Sequence, residues 1–256
     1  MKLTADNYYS REANVKYMSV SQFKAFQKCP ACAMAEINGE YEQERTKALL
    51  VGSYIDAYFE GTLEKFSKET PEIFTQKGQL RAEFLQANEI IDRISRDKLF
   101  VSYMSGMKQE IMTGEICGVP VKIKIDSLHP DKIVDLKIMS SFDNVYCPDR
   151  GSLPWFVAWG YDLQGAVYQE VVRQNSGVTM PVYLAAATKE KVTDIDIVHL
   201  SERDLDVALS QFKADVERFN AMKKGVIPVE RCEKCDYCKT TKVLTAPEIY
   251  EIKEAE

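Results

Sequence analysis

The sequence predicts an α/β fold: a single domain with a mixed central β-sheet flanked by helices. Three observations predict it. Two runs within residues 121–139 alternate apolar and charged side chains, which is the period-2 pattern of half-buried strands. Apolar residues recur at helical spacing in residues 79–99 and 201–225. Residues 181–187, PVYLAAA, are almost continuously apolar, as in a buried strand.

The centre of the predicted sheet is an antiparallel hairpin. Its strands are Val121–Asp126 and Ile133–Ile138, and His129–Lys132 joins them. This HPDK turn has Pro at its second position and Asp at its third, which suits a type I turn. Counting outwards from the turn places Asp126 opposite Asp135.

These two carboxylates are the candidate metal ligands. Directly opposed residues lie roughly 4.5–5.5 Å apart at Cβ, and like charges there repel each other. A divalent cation between Asp126 and Asp135 would remove that repulsion, since hard cations prefer carboxylate oxygens. Lys137 follows two residues after Asp135 and is predicted to lie on the same face. The alternative is a surface hairpin with a solvated acidic pair, because a slip of one residue moves every side chain to the other face.

The remaining elements follow in chain order. Residues 1–18 are polar and rich in tyrosine, and we expect an extended N-terminal arm. Ser19 has the spacing of a capping box and predicts a short helix to about Gln27. Thr46 is the expected cap of a second helix, Lys47–Glu60. The later predicted elements are an amphipathic helix (79–99), a strand (108–116), a helix (155–173), two strands (181–187 and 194–200) and a long helix from Ser201 to Gly225.

Composition sets further bounds. The chain has 256 residues, 45% of them hydrophobic, and no repeat or low-complexity linker, so we expect one domain over 1–256 with a C-terminal cysteine segment, 229–256. It lacks an apolar run of about 20 residues and an apolar signal sequence, which favours a cytoplasmic protein with no membrane contact. The net charge of −6 argues against a protein that coats nucleic acid, but it allows a local basic groove.

Seven cysteines suggest a metal site, because disulfides are rare in a reducing cytosol. Cys232, Cys235 and Cys238 form a C-x2-C-x2-C run, a spacing shared with ferredoxin-type iron–sulfur proteins. Cys29 is the candidate fourth ligand. Zinc is the alternative, held by Cys29, Cys32, Cys232 and Cys235 as an all-thiolate tetrahedron. A site without metal is the third possibility.

The hairpin residues resemble a known family. Asp126, followed by Asp135-Leu136-Lys137, resembles the D…(D/E)-x-K core of the PD-(D/E)XK nucleases. Gln164 and Tyr168 resemble the Q-x-x-x-Y motif of the RecB-like branch, and their spacing places them on one helix face. Within that branch the chain is most similar to phage-type RecE exonucleases, and the resemblance covers most of its length.

The resemblance implies a restriction-endonuclease-like fold and a metal-dependent exonuclease acting at duplex DNA ends in phage-type recombination. Mg²⁺ or Mn²⁺ would be held by Asp126, Asp135 and the carbonyl of Leu136. Lys137 would orient the attacking water or stabilise transition-state charge. The resemblance also implies a [4Fe–4S] cluster on Cys29 and the three late cysteines.

Three other positions take their expected roles from the family. Gln164 and Tyr168 would position the DNA strand. Asp56 occupies the place of a histidine that usually completes the metal site, in the segment Val51-Gly52-Ser53-Tyr54-Ile55-Asp56. A carboxylate is a competent and harder ligand for Mg²⁺ or Mn²⁺. The alternative for Asp56 is a partly exposed helix residue paired with a nearby Lys or Arg.

The expected partners are DNA, a single-strand annealing recombinase and further copies of the chain in a ring. Two alternative functions remain open at this point: an endonuclease of the same fold, and a non-catalytic DNA-binding module stabilised by the cysteine metal site.

Overall fold

A computed structural model describes residues 1–44 and 46–247 of the chain. Residues 248–256 of the predicted C-terminal segment lie outside this described part. The α-helices are Arg11–Lys16 (α1), Val20–Lys28 (α2), Pro30–Asn38 (α3), Lys47–Glu60 (α4), Leu63–Glu69 (α5), Ala82–Ser95 (α6), Lys98–Tyr103 (α7), Trp155–Ala158 (α8), Tyr161–Ser176 (α9), Glu202–Lys223 (α10) and Asp236–Thr240 (α11).

A five-stranded mixed sheet forms the centre of the fold. The strands of the molecule are Met107–Ile116 (β1), Val119–Leu128 (β2), Ile133–Met139 (β3), Val145–Cys147 (β4), Gly151–Leu153 (β5), Val182–Thr188 (β6) and Ile195–His199 (β7). The large sheet has the order β1-β2-β3-β6-β7, and β4 and β5 form a separate hairpin. Among the pairs of neighbouring strands in this sheet, within the described residues, β3–β6 is the parallel one and the others are antiparallel. The predicted fold class, a mixed sheet flanked by helices, is confirmed.

Helices cover both faces of the sheet. One core packs α2, α9 and α10 against it, with Phe23, Val167 and Phe212 fully buried. The second core packs α4, α6 and α7 against the opposite face, with Ile55 and Phe100 buried. Neighbouring residues of β3 and β6 alternate between these two cores, as expected for strands buried on both faces.

The predicted hairpin forms, but its ladder ends early. His129 N donates to Lys132 O at 2.9 Å across the turn. The β2–β3 pairing then comprises only Leu128–Ile133 and Ser127–Val134. The register would bring Asp126 and Asp135 together next, yet the strands separate there. The backbone pairing therefore stops before Asp126 and Asp135 and leaves a gap in the ladder, while the two carboxylates remain close enough to interact.

Other differences from the sequence prediction have local causes. The predicted helix over 79–99 is two helices, because the side chain of Asp97 caps a new one by accepting from Phe100 N. Helix α2 ends at Lys28, and α3 begins directly after Cys29 with Pro30 as its first residue, where the missing N–H of proline costs nothing. The predicted helix over 155–173 is broken at Gly160, which adopts a left-handed φ of 64°.

The N-terminal segment is packed rather than extended. Residues 11–16 form α1, and two buried lysines bind this part of the chain. Lys122 Nζ donates to Asn14 Oδ1 at 2.7 Å, and Lys223 Nζ donates to Tyr17 O at 2.6 Å. Lysine ammonium groups need such acceptors when they are buried, because an unpaired charge is costly there. The prediction of an extended arm was wrong because it considered residues 1–18 without these tertiary partners.

Candidate active site

The gap between β2 and β3 holds a cluster of acidic groups in which Lys137 is buried. Asp126 lies at its β2 side. Its Oδ2 accepts from Leu136 N at 2.9 Å, and its Oδ1 accepts from Gln109 Nε2 at 3.2 Å. Asp126 thus uses a backbone donor that the separated ladder has freed. The contact fixes the carboxylate next to Leu136, the residue whose carbonyl is a predicted ligand.

Asp135 and Lys137 form a buried ion pair on β3. Gln164 Nε2 from α9 donates to Asp135 Oδ1 at 2.8 Å, and the Lys137 ammonium pairs with Oδ2. Burial raises the pKa of Asp135, Lys137 lowers it and Asp126 raises it again, with a net upward shift. Burial would lower the pKa of Lys137, but Asp135 and Asp126 outweigh it and raise the pKa above the ordinary lysine value. The lysine therefore stays protonated.

Helix α4 brings Asp56 to the same cluster. Burial, followed by the charge of Asp126, raises the pKa of Asp56 well above its ordinary value. Glu60 follows one helical turn later and shares that face. Burial also raises the pKa of Glu60. Glu60 was missed in the sequence analysis, although its i, i+4 spacing from Asp56 was a usable signal.

The acidic residues border a small cavity, whose size and lining show whether a metal cation could be held there. Its volume is ≈ 10 Å³, about enough for one water-sized particle. Its walls include Asp56, Glu60, Asp126 and Leu136. Gln109 also lines it, and its buried Oε1 has no hydrogen-bond partner among the described residues. Lys108, Phe59 and Met104 complete the wall, so its three carboxylates outnumber the single cation. Hard divalent cations prefer carboxylate oxygens. The donor set therefore fits Mg²⁺ or Mn²⁺.

Gln109 reaches this cavity through an unusual backbone. It has φ 53° within strand β1, and it is absent from the paired residues between Lys108 and Glu110. A non-glycine residue in this region is strained by about 1–3 kcal/mol and often marks a functional site. Here the distortion points the amide towards Asp126. The sequence carries no local signal for it.

The Gln164 and Tyr168 side chains are used differently. Gln164 contacts Asp135 directly and so lies in the site. Tyr168 is buried, and its hydroxyl donates to Lys124 O at 3.0 Å. That bond ties α9 to β2, and the hydroxyl also lies near Gln164 and Asp135. In the structure Tyr168 positions the helix that carries Gln164.

Two more side chains at the site were not found from the sequence. The Tyr161 ring lies beside Lys137, whose Nζ is 4.6 Å from the ring centre. Lys24 Nζ from α2 is 5.1 Å from the centre of the same ring. Both residues approach from elements far apart in sequence, so periodicity could not place them.

The chain ends meet at a group of four cysteines. The Sγ atoms of Cys29, Cys232, Cys235 and Cys238 all lie within 4.8 Å of one another. The Sγ atoms of Cys29 and Cys238 lie 3.5 Å apart. Cys32, which belonged to the alternative zinc set, instead directs its sulfur to Glu36 Oε1 at 3.8 Å. The structure thus assembles the first predicted ligand set.

Backbone donors favour thiolate in this group. Cys232 Sγ accepts from Lys234 N at 3.5 Å and from Cys235 N at 3.3 Å, and these bonds lower the pKa of Cys232 to about 6. Burial raises the pKa of Cys29 to about 12. A bound metal would offset that burial cost because it stabilises thiolates directly. The four sulfurs are therefore close enough together that they could hold a metal ion.

Comparisons with known proteins agree with this architecture. The family model described as "PDDEXK-like domain of unknown function (DUF3799)" matches residues 19–241. A crystal structure of a protein from Eubacterium rectale, described as a "Putative exonuclease", superimposes with a TM-score of 0.93. It is 50% identical, and the match covers 97% of each chain. Comparison with curated proteins gives no significant match. No helix in the described ranges is long and apolar enough to cross a membrane. The matched segment includes every candidate active-site residue named above, and the chain belongs to the PDDEXK-like domain family.

Proposed function

We propose that the protein is a metal-dependent deoxyribonuclease that acts as an exonuclease on duplex DNA ends. The main support is the convergence of Asp56, Asp126 and Asp135 with Lys137 at the gap between β2 and β3. Asp56, Asp126 and Leu136 line the small cavity, and Asp135 lies beside them. A divalent metal bound there would lower the pKa of water and neutralise charge on the scissile phosphate.

The chain's own residues then supply positioning and charge. Lys137 carries a fixed positive charge, buried beside Asp135, that can stabilise the extra negative charge of a phosphoryl-transfer transition state. Gln164 holds the Asp135 carboxylate in one orientation. Preorganisation of this kind avoids reorientation during the reaction, which is why such donors contribute strongly to catalysis.

Exonuclease action is the finer part of the proposal. It is supported by the resemblance to RecE-type enzymes and by the Eubacterium rectale protein described as a "Putative exonuclease". A role in phage-type recombination, with a single-strand annealing protein as partner and a ring of subunits, is proposed on the resemblance alone.

The test compares end-labelled linear DNA with closed circular DNA, each with Mg²⁺, with Mn²⁺ and with chelator. We expect metal-dependent loss of linear DNA while circles remain intact. Cutting of circles would replace the exonuclease with an endonuclease. Binding without cleavage under every metal condition would indicate a DNA-binding module and contradict the proposed activity.

Asp56 is proposed as a metal ligand in place of the family's histidine. We expect Asp56→Ala to raise the Mg²⁺ concentration for half-maximal activity by roughly 10–100-fold, since a carboxylate facing the cavity is lost. Asp56→His should retain activity, most visibly with Mn²⁺, because imidazole suits the softer ion better.

The control for this metal titration is Asp206→Ala, which removes an exposed carboxylate from α10. It should leave the Mg²⁺ dependence unchanged. If Asp56→Ala also titrates like the unmodified protein, Asp56 is an ordinary helix residue and the assignment is wrong.

The four cysteines are proposed to hold a structural metal centre. The resemblance and the C-x2-C-x2-C run favour [4Fe–4S]. The sulfur spacing favours one zinc ion, because Zn–S bonds of about 2.3 Å place tetrahedral sulfurs ~3.8 Å apart. A brown protein containing iron after anaerobic preparation would support the cluster. A colourless protein with one zinc per chain would support the single ion.

A further inference from the structure

A polar cleft lies beside the active site. It has a volume of ≈ 380 Å³ and lies between α2 and the junction of α8 with α9. Lys24 and Lys28 line it from α2, Arg150 lines it from the β4–β5 turn, and Trp159 lines it from the helix junction. Its size lies within the range of ligand-binding sites. Lys24 belongs to the edge of the active site described above, and the other three residues extend the cleft away from it.

Lys24 connects the cleft to the active site. Its ammonium donates to Trp159 O at 2.9 Å, and it shares the Tyr161 ring with Lys137. The aliphatic stem of Lys24 passes close to Gly160, where an added Cβ would lie 3.0 Å from Lys24 Cε. Gly160 therefore permits both the left-handed backbone and this close approach.

The charge of Lys24 is incompletely balanced. Burial lowers the pKa of Lys24 to about 8, and the charge of Lys137 adds to this effect. Asp135 and Asp162 act in the opposite direction. Asp162 also lines the cleft, but its Oδ1 already accepts from Leu163 N at 2.8 Å. A further anion near Lys24 would be favourable.

The outer part of the cleft is basic and aromatic. Lys28 and Arg150 are exposed and, within the described part of the chain, belong to no ion pair. The cleft thus has three cationic side chains and one carboxylate, although the whole chain carries a net charge of −6. Trp159 lies at the edge of the cleft and is 54% exposed, which is unusual for so large an apolar side chain. A row of basic groups along the sugar-phosphate backbone, together with an exposed aromatic ring for base stacking, is typical of sites that bind single-stranded nucleic acid.

We infer that this cleft binds a single DNA strand as it passes to or from the active site. Lys24, Lys28 and Arg150 contact successive phosphates, and Trp159 stacks on a base. This inference rests on the proposed nuclease function and adds the path of the strand to it. Lys24 is a positioning residue in this inference, since it shares the Tyr161 ring with Lys137 and so joins the cleft to the active site.

Binding is measured without cleavage, by fluorescence anisotropy of a labelled single-stranded oligodeoxynucleotide in EDTA over a range of salt concentrations. Each phosphate contact on a single strand contributes about 0.7 to the slope of log K against log salt. We expect Lys24→Gln to weaken binding and to reduce this slope by about 0.7, and Lys24→Arg to restore both. Trp159→Ala should weaken binding on the order of tenfold without changing the slope, because stacking releases no counterions.

Lys65→Gln is the matched control. Lys65 is exposed on α5, which contributes nothing to the cleft, and its loss should change neither affinity nor slope. If Lys24→Gln does not fold, Arg150→Gln tests the same slope from an exposed position. Wild-type affinity and slope in Lys24→Gln and Trp159→Ala would overturn the inference, as would tighter binding of RNA of the same sequence.

The same proteins distinguish failure of this inference from failure of the proposed function. If the unmodified protein cleaves DNA with Mg²⁺ but the cleft variants bind normally, only the strand path is wrong. If the unmodified protein neither binds nor cleaves DNA, both proposals are wrong.

Discussion

Asp135→Asn is expected to lower DNA cleavage by at least 10³-fold while the protein remains folded. Asparagine keeps the size of the side chain and can still accept from Gln164 Nε2, but it removes the anionic oxygen paired with Lys137. Lys137 keeps Asp126 and Asp56 as nearby counter-charges, so the buried ammonium is not left without compensation. Cleavage of end-labelled linear DNA, together with thermal unfolding, measures both parts of this prediction.

Alanine at the same position should be less well tolerated. Removal of one partner from a buried ion pair costs about 3–5 kcal/mol. We expect Asp135→Ala to lose activity and also to unfold at lower temperature. Lys137→Ala should lower cleavage by about 10²–10³-fold if the ammonium stabilises transition-state charge.

The control is Asp131→Asn, which changes an exposed aspartate in the turn of the same hairpin. It should retain both activity and stability. Wild-type cleavage by purified Asp135→Asn would refute the active-site assignment, whatever the behaviour of the control.

Cys29→Ser is expected to release the bound metal and to lower the melting temperature by on the order of 10 °C. The four-cysteine centre joins positions 209 residues apart, Cys29 and Cys238. In the chain-entropy description, a cross-link closing a loop of this length stabilises by about 5 kcal/mol. A shift of 1 kcal/mol corresponds to about 2–4 °C for a domain of 150–250 residues. Metal analysis and calorimetry measure the two effects.

Two other serine variants make this result specific. Cys117→Ser changes an exposed cysteine at the β1–β2 turn and should alter neither metal content nor melting. Cys32→Ser discriminates between the two predicted ligand sets, and we expect it to retain the metal because its sulfur points to Glu36. Loss of metal in Cys32→Ser, with retention in Cys238→Ser, would restore the alternative set.

Sequence patterns predicted those parts of the fold that depend on neighbouring residues. The helix Lys47–Glu60 and its cap at Thr46 agree with the structure, because capping and periodicity are local properties. The hairpin register agrees for the same reason: the turn fixes it. Pro30 shows the limit of such patterns, since proline both ends helices and begins them.

The candidate site was only partly predictable. Asp126, Asp135 and Lys137 lie within one hairpin, so their spacing could be read from the sequence. Gln109 reaches the site through a strained backbone, and Lys24 reaches it from α2 past Gly160. Both depend on how distant elements pack, which a single sequence does not encode in any periodic form. The separation of β2 from β3 beyond the Ser127–Val134 pair, on the side away from the turn, likewise depends on packing between distant elements.

The position of the four cysteines in the chain also determines when, during synthesis, the cysteine centre can assemble. Cys238 is synthesised 209 residues after Cys29, which at about 5–20 residues per second means a delay on the order of 10–40 s. During that interval β1, β2 and β3 can leave the ribosome and pair, before the cysteines that join Cys29 have all been synthesised. If the four cysteines hold the proposed metal, its acquisition is a late event in biogenesis. In a cell short of that metal, chains would accumulate whose acidic cluster is assembled but whose ends are not held together by the cysteines. These chains would be more accessible to proteases.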